Sequence, residues 1–272
     1  MKVSVLMSVY NGERFIREAV VSLLGQTFRD FELLIVDDGS SDATPQILEE
    51  LTAQDTRCRV ITNPTNIGLT KSLNIALRQA QGDYVARMDT DDVALPQRLE
   101  KQVLFLDTHQ EVGIVGTAYQ FIDNAGNVIG ETSPPIADQD LRRVLIRANP
   151  FLHSSVIIRK TVLDRVQGYN ETFRRAQDYD LWMRLSLLTK LANLPDILMQ
   201  KRFTTGMISF RKEREQIRFA LRVRWNALRR RQFPWWTTVF LIKPFLATIL
   251  PSSFVRFVRI YIYQQDMYRN PT

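Results

Sequence analysis

The chain predicts an α/β fold: an open sheet flanked by helices, parallel in its first half and mixed in its second, followed by a basic helical tail. Three observations predict it. Strand-like apolar runs alternate with helical patterns four times within the first hundred residues, joined by short links, as right-handed crossovers on an open sheet require. Beyond Asp107 the rhythm changes to strands and a hairpin broken by Pro134-Pro135 and Asn149-Pro150. The charge is also segregated: of the net +7, residues 211–232 contribute +7 and residues 233–272 contribute +3, which leaves residues 1–210 at −3.

Val3 to Val9 is a near-continuous β-branched and apolar run, the pattern of a parallel strand buried on both faces. It is too short, and too polar at its flanks, for a signal peptide. Asn11-Gly12 supplies a turn, and Glu13 to Gln26 places Phe15, Ala19 and Leu23 at helical spacing. Phe31 to Val36 is the second strand, Ala43 to Ala53 the second helix, Cys58 to Thr62 the third strand and Gly68 to Gln81 the third helix. Asp83 to Met88 forms the fourth strand and Pro96 to Asp107 the next helix. Val112 to Tyr119 is strand-like, Phe121 to Ile129 a hairpin, Asp138 to Ala148 helical, and Phe151 to Ile158 leads into a further strand.

Chain length supports one large core or two smaller ones. One cysteine, Cys58, cannot form an internal disulfide, and two histidines, His109 and His153, argue against a zinc site of the His/Cys kind. Ligands of open α/β sheets bind beyond the carboxyl ends of the strands. Three polar clusters fall there: Ser8 to Asn11, Asp37 to Ser40, and Asp89 to Asp92. Asp89, Asp91 and Asp92 end a buried strand, where they would repel one another unless a cation sat among them; magnesium or manganese takes such oxygen ligands. The alternative is an acidic turn capping the helix near Pro96. Asp38, an acceptor-only group at a strand end, suits a base imide or a helix cap. Lys71, near the start of the third helix, suits a diphosphate or the bare surface. Asp178 stands at the N-terminus of a helix carrying Leu181, Trp182 and Leu185, where the helix dipole favours its ionised form; simple capping is the competing role. His153 is either a buried imidazole or an acceptor contact.

Five segments occurring in order, Val5-Leu6-Met7-Ser8-Val9-Tyr10-Asn11, Val36-Asp37-Asp38-Gly39-Ser40, Asp89-x-Asp91, His153-Ser154-Ser155 and Asp178-Tyr179-Asp180-Leu181-Trp182, resemble those of the family 2 glycosyltransferases. These are inverting enzymes with the Rossmann-like GT-A fold. The resemblance covers roughly residues 1–205, with a nucleotide-sugar half at 1–100 and an acceptor half at 101–205. It implies transfer from a nucleotide diphosphate sugar, UDP-linked, to a hydroxyl of a glycan or lipid-linked acceptor in capsule, exopolysaccharide or O-antigen synthesis. Ser8, Tyr10, Asn11, Asp38, Lys71, Arg87 and Asp89 would bind the donor. Asp89 and Asp91 would hold Mn2+ or Mg2+, Asp178 would be the base, and His153, Ser154 and Trp182 would face the acceptor. Three points depart from the family pattern: Ser8-Val9 stands where a proline often precedes the Tyr-Asn, Gln177 replaces the usual Glu beside the base, and Lys201-Arg202-Phe203-Thr204 lacks the histidine frequent after the Arg.

Residues 206–272 predict basic amphipathic and apolar helices. From Arg211 to Gln232, Ile217, Leu221, Trp225 and Leu228 share one arc, with Arg211, Arg218, Arg222 and Arg229 on an adjoining one. An apolar stretch broken by Lys243-Pro244 then runs from Phe233 to Leu250. This suits a peripheral anchor on an anionic, cytosolic membrane face through residues 211–250, short of the length a crossing helix needs. Packing on the core or on another copy in a homo-oligomer is the alternative; nucleic acid is not expected, because no groove-reading or stacking module accompanies the arginines. Two rival functions are a phosphatase or phosphotransferase using Asp89 as nucleophile and a membrane-tethered sugar-nucleotide-binding protein without transfer.

Overall fold

The computed structural model describes residues 1–203 and 213–249. The chain divides into two compact units, Met1–Met207 and Ile208–Thr272. Thr204, Arg211 and Leu250 lie outside the described residues.

The first unit is one mixed sheet of β1 (Val3–Val9), β2 (Phe31–Asp37), β3 (Cys58–Thr62), β4 (Tyr84–Arg87), β5 (Val93–Ala94), β6 (Val112–Ile122), β7 (Val128–Glu131), β8 (Ile157–Arg159) and β9 (Lys190–Arg202), in the order β3-β2-β1-β4-β8-β6-β9-β5 with β7 paired to β6. β1, β2, β3 and β4 are mutually parallel, with Val9 level with Asp37 and Leu6 level with Arg87. Every residue of β2 is buried and only Ser8 of β1 is partly open, so these unbroken apolar runs fill both faces. The crossovers through α1 (Ile16–Leu24) and α2 (Thr44–Gln54) step one way along the sheet. The crossover through α3 (Leu69–Gln79) steps back past β2 and β1 to β4. Right-handed connections therefore put α3 on the opposite face, and β1, between β2 and β4, is the topological switch point where such sheets bind ligands.

On one face Val3, Val5, Met7 and Val9 join Ile16, Ala19 and Leu23 of α1 and Leu99, Val103 and Leu106 of α4 (Arg98–Thr108) in a continuous core. Each such fully buried aliphatic side chain contributes about 1.5–3 kcal/mol.

The second half adds β5, β6, β7, α5 (Asp138–Leu145), β8, α6 (Lys160–Arg165), α7 (Gln177–Leu185) and β9. β8 runs antiparallel to β4 and β6, and β9 parallel to β6. β5, α6 and β9 were not anticipated. Pro195-Asp196 disguises β9, whose register against β6 jumps from Leu194 to Ile197; the proline is tolerated because the strand bulges there. The segment from Phe151 leads into β8 as expected, by way of a 3-10 turn at His153–Ser155.

The second unit contains a helix at Glu213–Arg229, a 3-10 turn at Trp235–Thr238 and a helix at Val239–Ile249. Lys243-Pro244 interrupts the apolar stretch, and the helix continues through it. Proline leaves the carbonyl four residues back without its usual partner; here that carbonyl, on Phe240, accepts a 3.4 Å bond from Arg224 Nη1. Trp225 stands at the edge of the apolar arc assigned to it. It is exposed with Arg218, Arg222 and Arg229 on one stripe, while Val223 and Ala227 turn inward. No helix among the described residues is long and apolar enough to cross a membrane.

Candidate active site

The carboxyl ends of β1, β2 and β4 deliver the first set of groups. The turn after β1 is clasped to the turn after β2. Asn11 N donates to Ser40 Oγ and Ser41 N to Asn11 Oδ1, both at 2.9 Å, and Gly12 N donates to Thr44 Oγ1. Asn11 adopts a left-handed backbone, φ 52°, which asparagine accepts more readily than most residues. Its side chain is thus occupied in shaping the turn, whereas Tyr10 is 51% exposed beside it and Ser8 is half-buried. A ring so displayed can stack on a nucleobase.

Asp38 is buried, and three protein donors reach it: Asn63 Nδ2 and Ile67 N at 2.9 Å on Oδ1, and Gly68 N at 2.8 Å on Oδ2. These fill all but about one of its acceptor positions. Its first effect is therefore to fix the loop that opens α3, which places exposed Lys71 in that helix's first turn. Asn63 and the Ile67-Gly68 amides escaped the sequence reading because they lie 25 to 30 residues away. Gly39 follows Asp38 with φ 73°, and a Cβ there would come within 2.8 Å of the Thr65 backbone. Gly39→Ala is expected to destabilise the fold by about 1–3 kcal/mol, checked by denaturant unfolding.

Arg87 ends β4, nearly fully buried; Nη2 bonds Asp89, while Nε and Nη1 find no hydrogen-bond partner among the described residues. Such orphaned donors call for acceptor oxygens beyond those of the described residues. Buried Arg98 bonds the Arg87 carbonyl at 2.8 Å and braces the strand end. The three aspartates that follow separate into two roles. The Asp89 side chain is 37% exposed; burial opposes its ionisation, but Arg87 foremost, with Lys201, holds its pKa below the usual carboxylate value. Asp91 is pushed up to about 6 by burial and then by the charge of Asp89. Asp92 is buried, accepts Ser154 Oγ and, at 3.0 Å, Arg202 N, and is pushed up to about 7 by burial and its two neighbours. Arg202 in turn bonds the Asp91 carbonyl at 3.1 Å and Glu18 at 2.6 Å. Asp92 is a structural tie between the loop and the end of β9.

The remaining carboxylates fit a divalent cation. Asp89 and Asp91 are hard oxygen donors, and the repulsion that raises Asp91 is what a cation would relieve. No group of three or more His, Cys, Asp or Glu suited to a metal occurs among the described residues. The ion would therefore complete its shell with substrate oxygens and water, the usual arrangement for magnesium.

Asp178 lies in the first turn of α7, preceded by Ala176 in a left-handed conformation, φ 52°. Burial raises the Asp178 pKa, and Asp89 adds to the rise; the Tyr179 amide and Asn149 oppose it. Asn149 Nδ2 donates to Asp178 Oδ2 at 2.7 Å, and its Oδ1 accepts Phe151 N at 3.2 Å. Asn149, read in the sequence only as a chain break, thus aims the carboxylate. Asp180, two residues on, is buried against Arg184 at 2.8 Å.

The acceptor assignments are partly corrected. Ser154 is fully buried and gives its hydroxyl to Asp92, so it cannot face an acceptor. Trp182 is fully buried too, packed edge-to-face on Phe151 at 5.6 Å and on His153 at 6.0 Å; it forms the wall beneath the site. His153 remains half-buried, shares a 2.8 Å hydrogen bond with the Tyr169 hydroxyl, and is driven down to about 3 by burial and then Arg87, so it is neutral at working pH. Tyr169, its pKa raised by burial, also feels Arg87, Asp178 and Asp89. These side chains share one electrostatic neighbourhood.

A sheet with carboxylates after the strand beside its switch point, and a half-buried, hydrogen-bonded aspartate within electrostatic reach of one of them, has the parts of a glycosyltransferase of GT-A type. Comparison with known proteins agrees. The chain belongs to glycosyl transferase family 2, whose model matches residues 4–167. It is 33% identical to "Putative glycosyltransferase EpsE" of Bacillus subtilis over 93% of this chain and 91% of that one. It is 31% identical to the amylovoran biosynthesis glycosyltransferase AmsE of Erwinia amylovora over 97% and 98%. Among solved structures, S. aureus TarS 1-349 in complex with UDP-GlcNAc matches with TM-score 0.67 and 26% identity, covering 82% of this chain and 66% of that one.

Proposed function

We propose that this glycosyltransferase inverts the anomeric centre as it moves a sugar from a UDP-linked donor to a hydroxyl of a glycan or lipid-linked acceptor in cell-envelope polysaccharide synthesis. The observation that carries this is the held carboxylate of Asp178, felt by Asp89 across the site. The similarity to a TarS structure bound to UDP-GlcNAc and to an amylovoran enzyme supports the donor and the product class.

Tyr10 stacks on the base, and Asp38 offers its remaining acceptor position to the base imide. Ser8 and Lys71 receive the ribose and diphosphate, and the free Nε and Nη1 of Arg87 supply donors to substrate oxygens. Manganese or magnesium held by Asp89 and Asp91 would supply positive charge for the departing diphosphate. Asp178 Oδ takes the proton of the acceptor hydroxyl as that oxygen attacks the anomeric carbon from the face opposite the leaving group, and this single displacement inverts the centre. Neutral His153, fixed by Tyr169, lines the acceptor side without adding charge.

A thermal-shift panel of nucleoside diphosphate sugars, with and without manganese, tests this, since a ligand bound only by the folded state raises its melting temperature. UDP-sugars with manganese are expected to give the largest shift; an equal response to every nucleotide, indifferent to the metal, would remove the donor assignment.

Asn149→Ala is expected to lower kcat about tenfold with little change in donor KM. Removing a donor to the ionised carboxylate raises that carboxylate's pKa, so the acid limb of the pH–rate profile should move to higher pH. An unmoved limb would reduce Asn149 to a loop support.

The same reading makes the protein peripheral on the cytosolic face of a membrane, with its tail as the attachment. Self-association into a homo-oligomer remains compatible with it.

A further inference from the structure

Among its described residues the second unit carries an unusual surface. Between Gln216 and Ile249 there are seven basic residues and no acidic one. Arg218, Arg222, Trp225 and Arg229 form an exposed stripe at spacings of four, three and four. The helix ends at Arg229-Arg230-Arg231, all exposed, with Arg231 in a left-handed conformation that turns the chain, φ 54°. Past that corner Trp235 is 82% and Trp236 54% exposed. Val239, Ile242, Leu246 and Ile249, together with Phe245, then present the open face of the short helix. At the corner a cleft of about 690 Å³ is walled by Trp225, Leu228, Phe233 and Trp235, with Arg229 and Arg231 at its rim.

We propose that this corner is a lipid-binding site: the cleft takes one anionic phospholipid, its phosphate on Arg229 and Arg231 and its glycerol and upper acyl segment against Trp225, Phe233 and Trp235. The short helix lies in the plane of the bilayer interface beside it. The proposal rests on the membrane reading of the tail given above and names the ligand and residues.

Physical chemistry favours this occupant over a protein. Isolated exposed apolar residues are ordinary, but a contiguous apolar face rimmed by one sign of charge marks an interaction surface. Tryptophan prefers the headgroup level, and each Arg or Lys near an anionic surface adds about 1 kcal/mol of attraction. A short helix with one lysine on its outer face fits an interfacial position better than a crossing one.

The test uses the full chain in flotation with vesicles of phosphatidylcholine alone or mixed with phosphatidylglycerol. Two variants accompany it: Trp235→Ser with Trp236→Ser, and Arg229→Gln with Arg230→Gln and Arg231→Gln. All five side chains are exposed, so both variants should fold, and a melting curve verifies this. The parent is expected to float only with phosphatidylglycerol and to release in high salt. The arginine variant should bind on the order of a hundredfold more weakly, and the tryptophan variant at least tenfold more weakly. If the parent ignores anionic vesicles, the membrane reading itself fails. If both variants float as well as the parent, the reading survives and this corner is not the site. Equal binding to phosphatidylcholine vesicles would overturn the headgroup assignment, and a dimer abolished by the tryptophan variant would reassign the face to a second copy of the chain.

Discussion

Asp178→Asn is expected to lower sugar transfer by about 10² to 10⁴, the usual contribution of a positioned general base, while donor affinity stays close to that of the parent. Asparagine fills the same space and keeps a carbonyl for the Asn149 amide, which donates at 2.7 Å in the parent, so the loop and α7 should hold. What is lost is the capacity to take a proton. Single-turnover transfer together with donor titration checks it. A fall in donor affinity with transfer per bound donor unchanged would mean that Asp178 supports binding, not proton removal.

The second large effect concerns the aspartates after β4. Asp91→Asn should remove the manganese-dependent part of donor binding and cut transfer by on the order of 10² to 10³, the loss of several kcal/mol of charge stabilisation. Asp92→Asn should behave differently. Asp92 accepts Arg202 N and the Ser154 hydroxyl, and an amide oxygen can keep one of these bonds, so the expected loss is in melting temperature, with the metal response retained. Calorimetric manganese titration of the two variants in the presence of UDP separates these outcomes; equal loss of metal response in both would contradict the division of roles.

That division shows where sequence reading stops. Asp89, Asp91 and Asp92 are chemically alike in the chain, and only the position of Arg202, 110 residues later, turns one of them into a structural tie. The strands up to β4 were legible because each is a short run rich in apolar and β-branched residues closed by a turn, and their carboxyl ends announced the site. β9 was hidden because Pro195-Asp196 breaks the alternation that a strand normally shows, although the sheet absorbs both residues as a bulge. Asp178 could be picked out by its place before an apolar helix and by the family motif. Asn149 could not, because nothing local records a contact 29 residues away. Ser154 and Trp182 were assigned to the acceptor from a motif, and their partners overrule it: Ser154 gives its hydroxyl to Asp92, and the Trp182 ring packs on Phe151 and His153. In the tail, helical periodicity grouped Trp225 with aliphatic residues, yet a residue at the edge of an arc falls inside or outside according to its neighbours. Here it falls among the arginines.

The central claim is that the carboxylates after β4 and the aspartate opening α7 serve one donor molecule from opposite sides. The most direct measurement is a crystal structure of the Asp178→Asn variant with an intact UDP-sugar and manganese. The diphosphate and metal should lie on Asp89 and Asp91, the base against Tyr10, and residue 178 should face the anomeric carbon from the side away from the diphosphate. A donor seated elsewhere, or a residue 178 turned from the anomeric carbon, would contradict the account.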